Sequence, residues 1–261
     1  MGIVNATPDS FSDGEADPRR AIARGRAHLA ARADIVDVGG ESTRPGATPV
    51  PVDEELRRVL PVVRALAESG AVSIDTYKAS VAEQAIAAGA KVGNDISGGL
   101  LDPALLDIVA ASGAIVILGH IRGNPATMTD QSTYVDVISE VRDELGRRIE
   151  AARAAGIPDD RIWIDPGLGF AKRADHTLTL LARLDELKGL GHPIVIGASR
   201  KSFLSPPQAP VPANARETAT AAADAIAIYL GAAVVRVHDV AGQMPAIGVA
   251  RRLREAKRPT P

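Results

Sequence analysis

Short runs rich in Val and Ile end, one after another, in side chains that carry charge or form hydrogen bonds. Asn5, Thr7, Asp9 and Asp13 follow the first run, and Glu41, Ser42, Thr43 and Arg44 the second. Asp75 closes the third and Asn94 and Asp95 the fourth, while His120 and Arg122 follow the fifth. Asp165 closes the sixth, Ser199, Arg200 and Lys201 follow the seventh, and the eighth carries Arg236, His238 and Asp239. Asp75, Asn94 and Asp165 suit a nitrogen-rich heterocycle, because a carboxylate pairs in two-pronged fashion with parallel N–H donors. Lys201, Arg236 and His238 suit a phosphate or another anion. The segment 199–203 opens toward a helix, whose N-terminus favours negative charge. Together these residues describe a substrate with a ring at one end and an anion at the other.

Helix capping is the alternative account of such residues, and Asp53 and Asp102 read as caps. It does not extend to all eight junctions, several of whose polar residues lie within the apolar runs, where an unpaired polar group is costly. A Ser-His-Asp hydrolase lacks its G-x-S-x-G elbow here. The histidines show no H-E-x-x-H spacing, which argues against zinc. Asn5, with a phosphate, could hold Mg²⁺, an ion that takes few protein ligands and keeps waters. The glycines of 165–170 are too few for a dinucleotide fingerprint and suit a tight turn.

The runs that position these residues are expected as buried strands at 2–6, 35–38, 71–75, 91–96, 114–118, 161–165, 193–197 and 234–237. Helical periodicity fills the intervals. In the fifth interval Ile138, Val141, Leu145 and Ile149 recur at three- and four-residue spacings. In the third, Ser80 and Glu83 have capping-box spacing and Gly89 stands where the helix should stop. Pro61, within the helix expected over 53–68, should kink it or mark its re-initiation. Residues 205–214, with four prolines, read as a surface loop. Eight strand–helix alternations over 261 residues predict a single-domain (β/α)8 TIM barrel spanning 1–261, whose active site lies at the C-terminal ends of the strands. A doubly wound open sheet would show a Gly-rich fingerprint after its first strand, and none is present.

Composition narrows the function further. The chain has no cysteine, which excludes disulfides, thiolate metal sites and a cysteine nucleophile. A net charge of -2 and 3% aromatic residues argue against a nucleic-acid surface. No secretory signal and no apolar run of about 20 residues is present, so a cytoplasmic location is expected.

The segments NATPDSFSDG (5–14), DVGGESTRPG (37–46), SIDTYK (73–78), NDISG (94–98), DPGLGF (165–170), SRK (199–201) and RVHD (236–239) together resemble the dihydropteroate synthases, in that family's order and over nearly the whole chain. The resemblance implies a (β/α)8 transferase of folate biosynthesis and a sulfonamide target. Its reaction joins 6-hydroxymethyl-7,8-dihydropterin pyrophosphate to p-aminobenzoate through pyrophosphate departure and a pterin cation. It implies that Asp75, Asn94, Asp165 and Lys201 hold the pterin, with Phe170 at the junction of the two substrates. Asn5, Arg236 and His238 would hold pyrophosphate, with Mg²⁺ bound through Asn5. Thr43, Arg44 and Pro45 on the second loop, with Phe11 and Asp13 on the first, would close over the site. Phe11, Thr43, Arg44, Pro45, Phe170 and Ser202 would receive p-aminobenzoate. The implied catalytic set is Asp75, Asp13, Lys201, Arg236 and His238. A homodimer is implied too, and the alanine-rich helix 217–230 would permit close helix packing.

The sequence departs from the family's pattern in three places. It opens at the first strand, where the family usually carries an extra N-terminal segment. Its first loop is about two residues shorter than usual after Gly14. Gly119 precedes His120 where the family often has a methionine, which would loosen the ring pocket. Gly119 and the shortened first loop motivate a non-catalytic pterin-binding paralogue as one alternative. A methyltetrahydrofolate methyltransferase-like barrel is the other, although it has no need of 199–202 or of Arg236 and His238.

Overall fold

The computed structural model describes residues 1–7, 17–206 and 208–257. Its strands are β1 (Gly2–Asn5), β2 (Ile35–Gly39), β3 (Ala71–Asp75), β4 (Val92–Asp95), β5 (Ile115–Gly119), β6 (Ile162–Asp165), β7 (Val195–Ile196) and β8 (Val234–Val235). Each is followed by a helix: α1 (Pro18–Ala30), α2 (Val52–Ala67), α3 (Ala79–Ala87), α4 (Ala104–Ser112), α5 (Val137–Ala154), α6 (Ala174–Ala182), α7 (Glu217–Leu230) and α8 (Val240–Ala256). Strands β1 to β6 pair in sequence order and in parallel, and β7 pairs in parallel with β8. Two seams join these sheets into a ring. Ile164 N–H donates to Pro193 O at 3.0 Å, and an Ile164–Ile194 bridge links β6 to β7. Ile3 N–H donates to Val237 O and Val237 N–H to Met1 O, both at 2.9 Å, closing β8 on β1. The last two strands are thus shorter than expected, because their outer residues pair through single bridges rather than continuous ladders.

Alternation along the strands splits the apolar residues into an inner and an outer set. Val116, Leu118, Ile162 and Ile164 pack outward with Val141, Leu145 and Ile149 of α5. Val92, Ile117 and Val195 instead share a cluster with Met1, Ile35, Ile115, Trp163 and Val234, which fills the barrel interior. The periodicity of α5 is borne out, since Ile138, Val141, Leu145 and Ile149 are all buried.

Three local expectations change. Helix α2 runs through Pro61 as one element, so no re-initiation occurs there. Its N-cap position is Pro51, which leaves Asp53 in the first turn rather than capping. The capping box at Ser80 does not form, because α3 begins one residue earlier with Lys78 at the N-cap and Ser80 already inside. The free N–H of Ala79 is taken at 2.8 Å by Asp102 Oδ2, a cap supplied across space by the segment before α4. Gly89 does end the third helical segment, at φ +116°.

Candidate active site

Register decides which side chains reach the mouth of the barrel. Asn5 pairs with Gly39, Gly39 with Asp75 and Asp75 with Asn94, so four strands deliver residues at one height. Asp37 and Ser73 pair with each other two residues lower on the same face. Arg236, just beyond β8, spans both levels. Its Nε donates to Asp37 Oδ2 and an Nη to Asp75 Oδ2, each at 2.5 Å. Asn94 Nδ2 also donates to Asp37 Oδ2, at 3.2 Å. Among the described residues these bonds leave Asp37 Oδ1, Asp75 Oδ1 and Ser73 Oγ buried without a partner.

The electrostatics follow from burial. Desolvation pushes the Asp75 carboxyl up to about 7 against the pull of Arg236. Burial works against the charge of Arg236, yet Asp37 and then Asp75 hold its guanidinium above the ordinary value. Burial also brings Lys201 down to about 8, with Asp165 opposing the shift. His238 falls to about 3 through burial and the guanidinium groups of Arg200 and Arg236, so near neutrality it is an uncharged hydrogen-bonding group. Ser199 Oγ lies 2.9 Å from its Nδ1.

A cavity of about 860 Å³ opens over this group. Asn5, Asp75, Asn94, Asp165, Phe170, Lys201, Ser202, Arg236 and His238 line it, together with Thr43, Arg44 and Pro45 of the second loop. The structure therefore brings together every expected site residue that it describes. Phe11 and Asp13 lie outside the described residues. The second loop is tied down at both ends: Tyr77 Oη donates to Glu41 Oε1 at 2.6 Å, and Gly46 N–H donates to Pro125 O at 3.0 Å. On the seventh-strand side one expectation fails. Ser202 opens only a three-residue 3₁₀ turn, Ser202–Leu204, and α7 begins at Glu217. A turn that short has no macrodipole to attract an anion, so Ser202 offers its hydroxyl and backbone alone.

The end of β5 differs from expectation as well. A Cβ at Gly119 would lie 2.6 Å from Ile96 Cα and 2.7 Å from Asp95 O, so glycine is the residue that fits there. The apolar wall of the cavity comes instead from Ile96, Met128, Ala171 and Phe170, which Ile121 backs.

Two residues with no role in the sequence reading emerge as central. Asp37 is fully buried within β2; an acid inside an apolar strand run was the signal available for it. Lys172 is buried behind the sixth loop, where Nζ lies 2.8 Å from His120 Nδ1. Its partners are two nearby carbonyls, of Gly167 and Phe170, and the distant His120, and only the fold brings the last to it.

This arrangement can hold a planar nitrogen-rich ring against carboxylates and an anion against Arg236, and known proteins bear on that reading. The pterin binding enzyme family matches residues 1–238. The chain belongs to that family, among the dihydropteroate synthases. It is 46% identical over 258 residues to the dihydropteroate synthase of Mycobacterium leprae, covering 95% of this chain and 91% of that one. A Xanthomonas albilineans dihydropteroate synthase solved with 4-aminobenzoic acid superposes with a TM-score of 0.90 at 43% identity, covering 100% of this chain and 93% of that one. The Yersinia pestis enzyme in a sulfonamide complex gives 0.92 at 40% identity, covering 98% and 94%. The chain is a transferase of folate synthesis that condenses a pterin pyrophosphate with p-aminobenzoate to give 7,8-dihydropteroate.

Proposed function

We propose that one domain spanning 1–261 carries this reaction, with the three reacting groups received by separate parts of the mouth. Asp75, Asn94 and Asp165 accept the N–H edge of the pterin, and Lys201 donates to it from above Phe170, its Nζ 4.4 Å from the ring centroid. Arg236, His238 and Asn5 receive pyrophosphate. Thr43, Arg44, Pro45, Phe170 and Ser202 receive p-aminobenzoate, with Phe11 and Asp13 on the first loop completing the closure. The observation that carries the reading is the Asp37–Arg236–Asp75 bridge, with a cation shared by two buried carboxylates that each keep one unpartnered oxygen.

Bond breaking at the exocyclic carbon would send negative charge toward Arg236 and leave positive charge on the pterin, beside Asp75. Prearranged charges of both signs stabilise that separation without reorganising. Closure of the second loop would exclude water, which otherwise captures the cation. The arylamine then attacks the same carbon.

The donor set fits Mg²⁺ only as an ion that shares its shell with substrate. Among the described residues no three His, Cys, Asp or Glu side chains form a metal cage, and Asn5 brings one amide oxygen to the cavity. An ion taking one protein ligand and several phosphate oxygens suits such a site; when bound, Mg²⁺ would draw charge from the departing pyrophosphate.

A homodimer through α7 and α8 agrees with the exposed Ile226, Tyr229, Val249 and Leu253 on these adjacent helices, and sedimentation at monomer mass would count against it. No helix among the described residues is long and apolar enough to cross a membrane, in keeping with a cytoplasmic enzyme acting on small molecules. The deciding assay follows pyrophosphate release with and without p-aminobenzoate. Sustained release over many turnovers is expected to need both substrates, to stop when EDTA removes Mg²⁺ and to resume on its return. Folded protein that binds the pterin yet never releases pyrophosphate would sink the reading.

A further inference from the structure

Phe170 and Lys201 share the turn over residues 167–170, and that turn is held from two sides. Toward the cavity, Lys201 Nζ donates to Leu168 O and stands over the Phe170 ring. On its other side Lys172, which also borders the cavity, brings Nζ to 2.9 Å from Phe170 O, 3.1 Å from Gly167 O and 2.8 Å from His120 Nδ1, with His120 O at 3.4 Å. Burial, with the Arg148 guanidinium nearby, pushes Lys172 well below the ordinary lysine value, and among the described residues it pairs with no carboxylate, so its hold on the turn is hydrogen bonding to these acceptors.

The backbone is bent to make this grip. Ala171 and Arg200, each immediately before one of the two lysines, adopt φ of +49° and +61°. A left-handed conformation is unfavourable for a non-glycine residue and persists only where its surroundings over-determine it. Gly167 presses against β5 so closely that a Cβ there would lie 1.9 Å from His120 O. His120 is itself fixed through Nε2, 2.9 Å from Glu144 Oε2, and Arg122 Nε holds Glu144 at 3.0 Å.

We infer that Lys172 is a positioning residue for ring binding: its Nζ, committed to Phe170 O, Gly167 O and His120, holds the 167–170 turn in the shape that presents Leu168 O and the Phe170 ring to Lys201. The inference rests on the reading of Lys201 and Phe170 as ring-holding residues. Its logic is preorganisation, since a turn ordered before the ligand arrives spares binding the cost of ordering it. Without Lys172, two backbone carbonyls and the His120 nitrogen lose a donor, the left-handed kink at Ala171 has less to sustain it, and Lys201 loses a fixed acceptor.

The test compares Lys172→Met, Lys172→Gln and Lys201→Met in the full chain. Calorimetry measures binding of 6-hydroxymethyl-7,8-dihydropterin and, separately, of inorganic pyrophosphate with Mg²⁺. Lys172→Met is expected to bind the pterin about tenfold more weakly, the scale of one lost hydrogen bond, with pyrophosphate affinity kept within about twofold. Lys172→Gln, whose amide restores two donors, is expected to recover most of the loss. Pterin affinity unchanged in folded Lys172→Met, or equal weakening of both ligands, overturns the inference. Loss of pterin binding in Lys201→Met without loss in Lys172→Met overturns it alone, whereas intact binding in Lys201→Met overturns the ring-site reading beneath it. If neither Lys172 variant folds, hydrogen exchange on the unaltered chain decides. Amides of 168–172 should be protected before the pterin is added, and fast exchange that slows only on pterin binding refutes a turn held in advance.

Discussion

The two halves of the barrel mouth use the same kinds of residue and settle their charges in opposite ways. On the side of β2, β3 and β8, Arg236 bridges Asp37 and Asp75, and three buried oxygens remain without a partner. On the side of β5 and β6, Lys172, His120, Glu144 and Arg122 form a chain in which each side chain meets a protein partner. A buried polar group left unpaired costs about 1–3 kcal/mol. The first half tolerates several, which makes sense where a ligand completes them; in the second, Tyr134 Oη and His176 Nδ1 lack a partner among the described residues, but the Lys172–His120–Glu144–Arg122 chain itself is paired throughout and serves to hold shape. Substitutions in the first half should therefore damage chemistry more than stability, and those in the second should do the reverse wherever they do not touch the ring-binding turn.

Asp75→Ala is expected to give the largest effect. Two charge-assisted hydrogen bonds to the pterin, at about 1.5–3 kcal/mol each, correspond to a loss of turnover of at least about 100-fold, read as pyrophosphate release. The melting temperature should move little, because Arg236 keeps Asp37 and a costly buried carboxylate is gone. A large fall in melting temperature would erase the contrast between the halves.

The pH dependence of pterin binding comes next in size. Asp75 accepts N–H groups as a carboxylate, so affinity should rise with pH through about 7. Lys201 donates as an ammonium, so affinity should fall as pH rises through about 8. The result is a narrow bell whose limbs each change affinity up to about tenfold per pH unit. Lys201→Met should remove the alkaline limb and keep the acid one, and a flat profile in the unaltered protein would refute both assignments.

Glu144→Gln sharpens the comparison from the other half. It should cost about 1–2 kcal/mol in denaturant unfolding, discounted for the partial exposure of this carboxylate, and change turnover less than about threefold. Burial raises the Glu144 pKa, but the hydrogen bonds of His120 and Arg122 overcome it and bring the group to about 2, from an ordinary 4.5. A depressed carboxyl stabilises the fold fully above 4.5 and loses that contribution as pH falls toward 2. The variant and the unaltered protein should therefore converge in stability in strong acid.

Much of this was legible before any coordinates. The Val- and Ile-rich runs located all eight strands to within a residue or two, and polar residues at strand ends located the site, because burial makes both patterns costly to violate. The helix of 217–230 was bounded correctly. What sequence could not show depends on contacts between distant elements. Asp102 caps α3 from another segment, Lys172 finds its acceptors on β5 and the sixth loop, and Gly119 meets the backbone of β4. Ser202 misled for the opposite reason. The helix expected beside it is a single turn, and the proline-rich stretch that follows delays α7 to Glu217.

The Arg236 bridge has a consequence for how the molecule comes into being. Its two ion pairs join residues 199 and 161 positions apart in the chain, and the seam beside it pairs Ile3 with Val237. Contacts so distant in sequence form late, after the entropy of closing a very long loop has been met. During synthesis the inner carboxylates of β2 and β3 emerge first and wait for their cation until the eighth strand has been made. The charge that would receive the leaving group is thus also the last to arrive, so an unfinished chain has no competent site, and activity itself reports that the ring has closed.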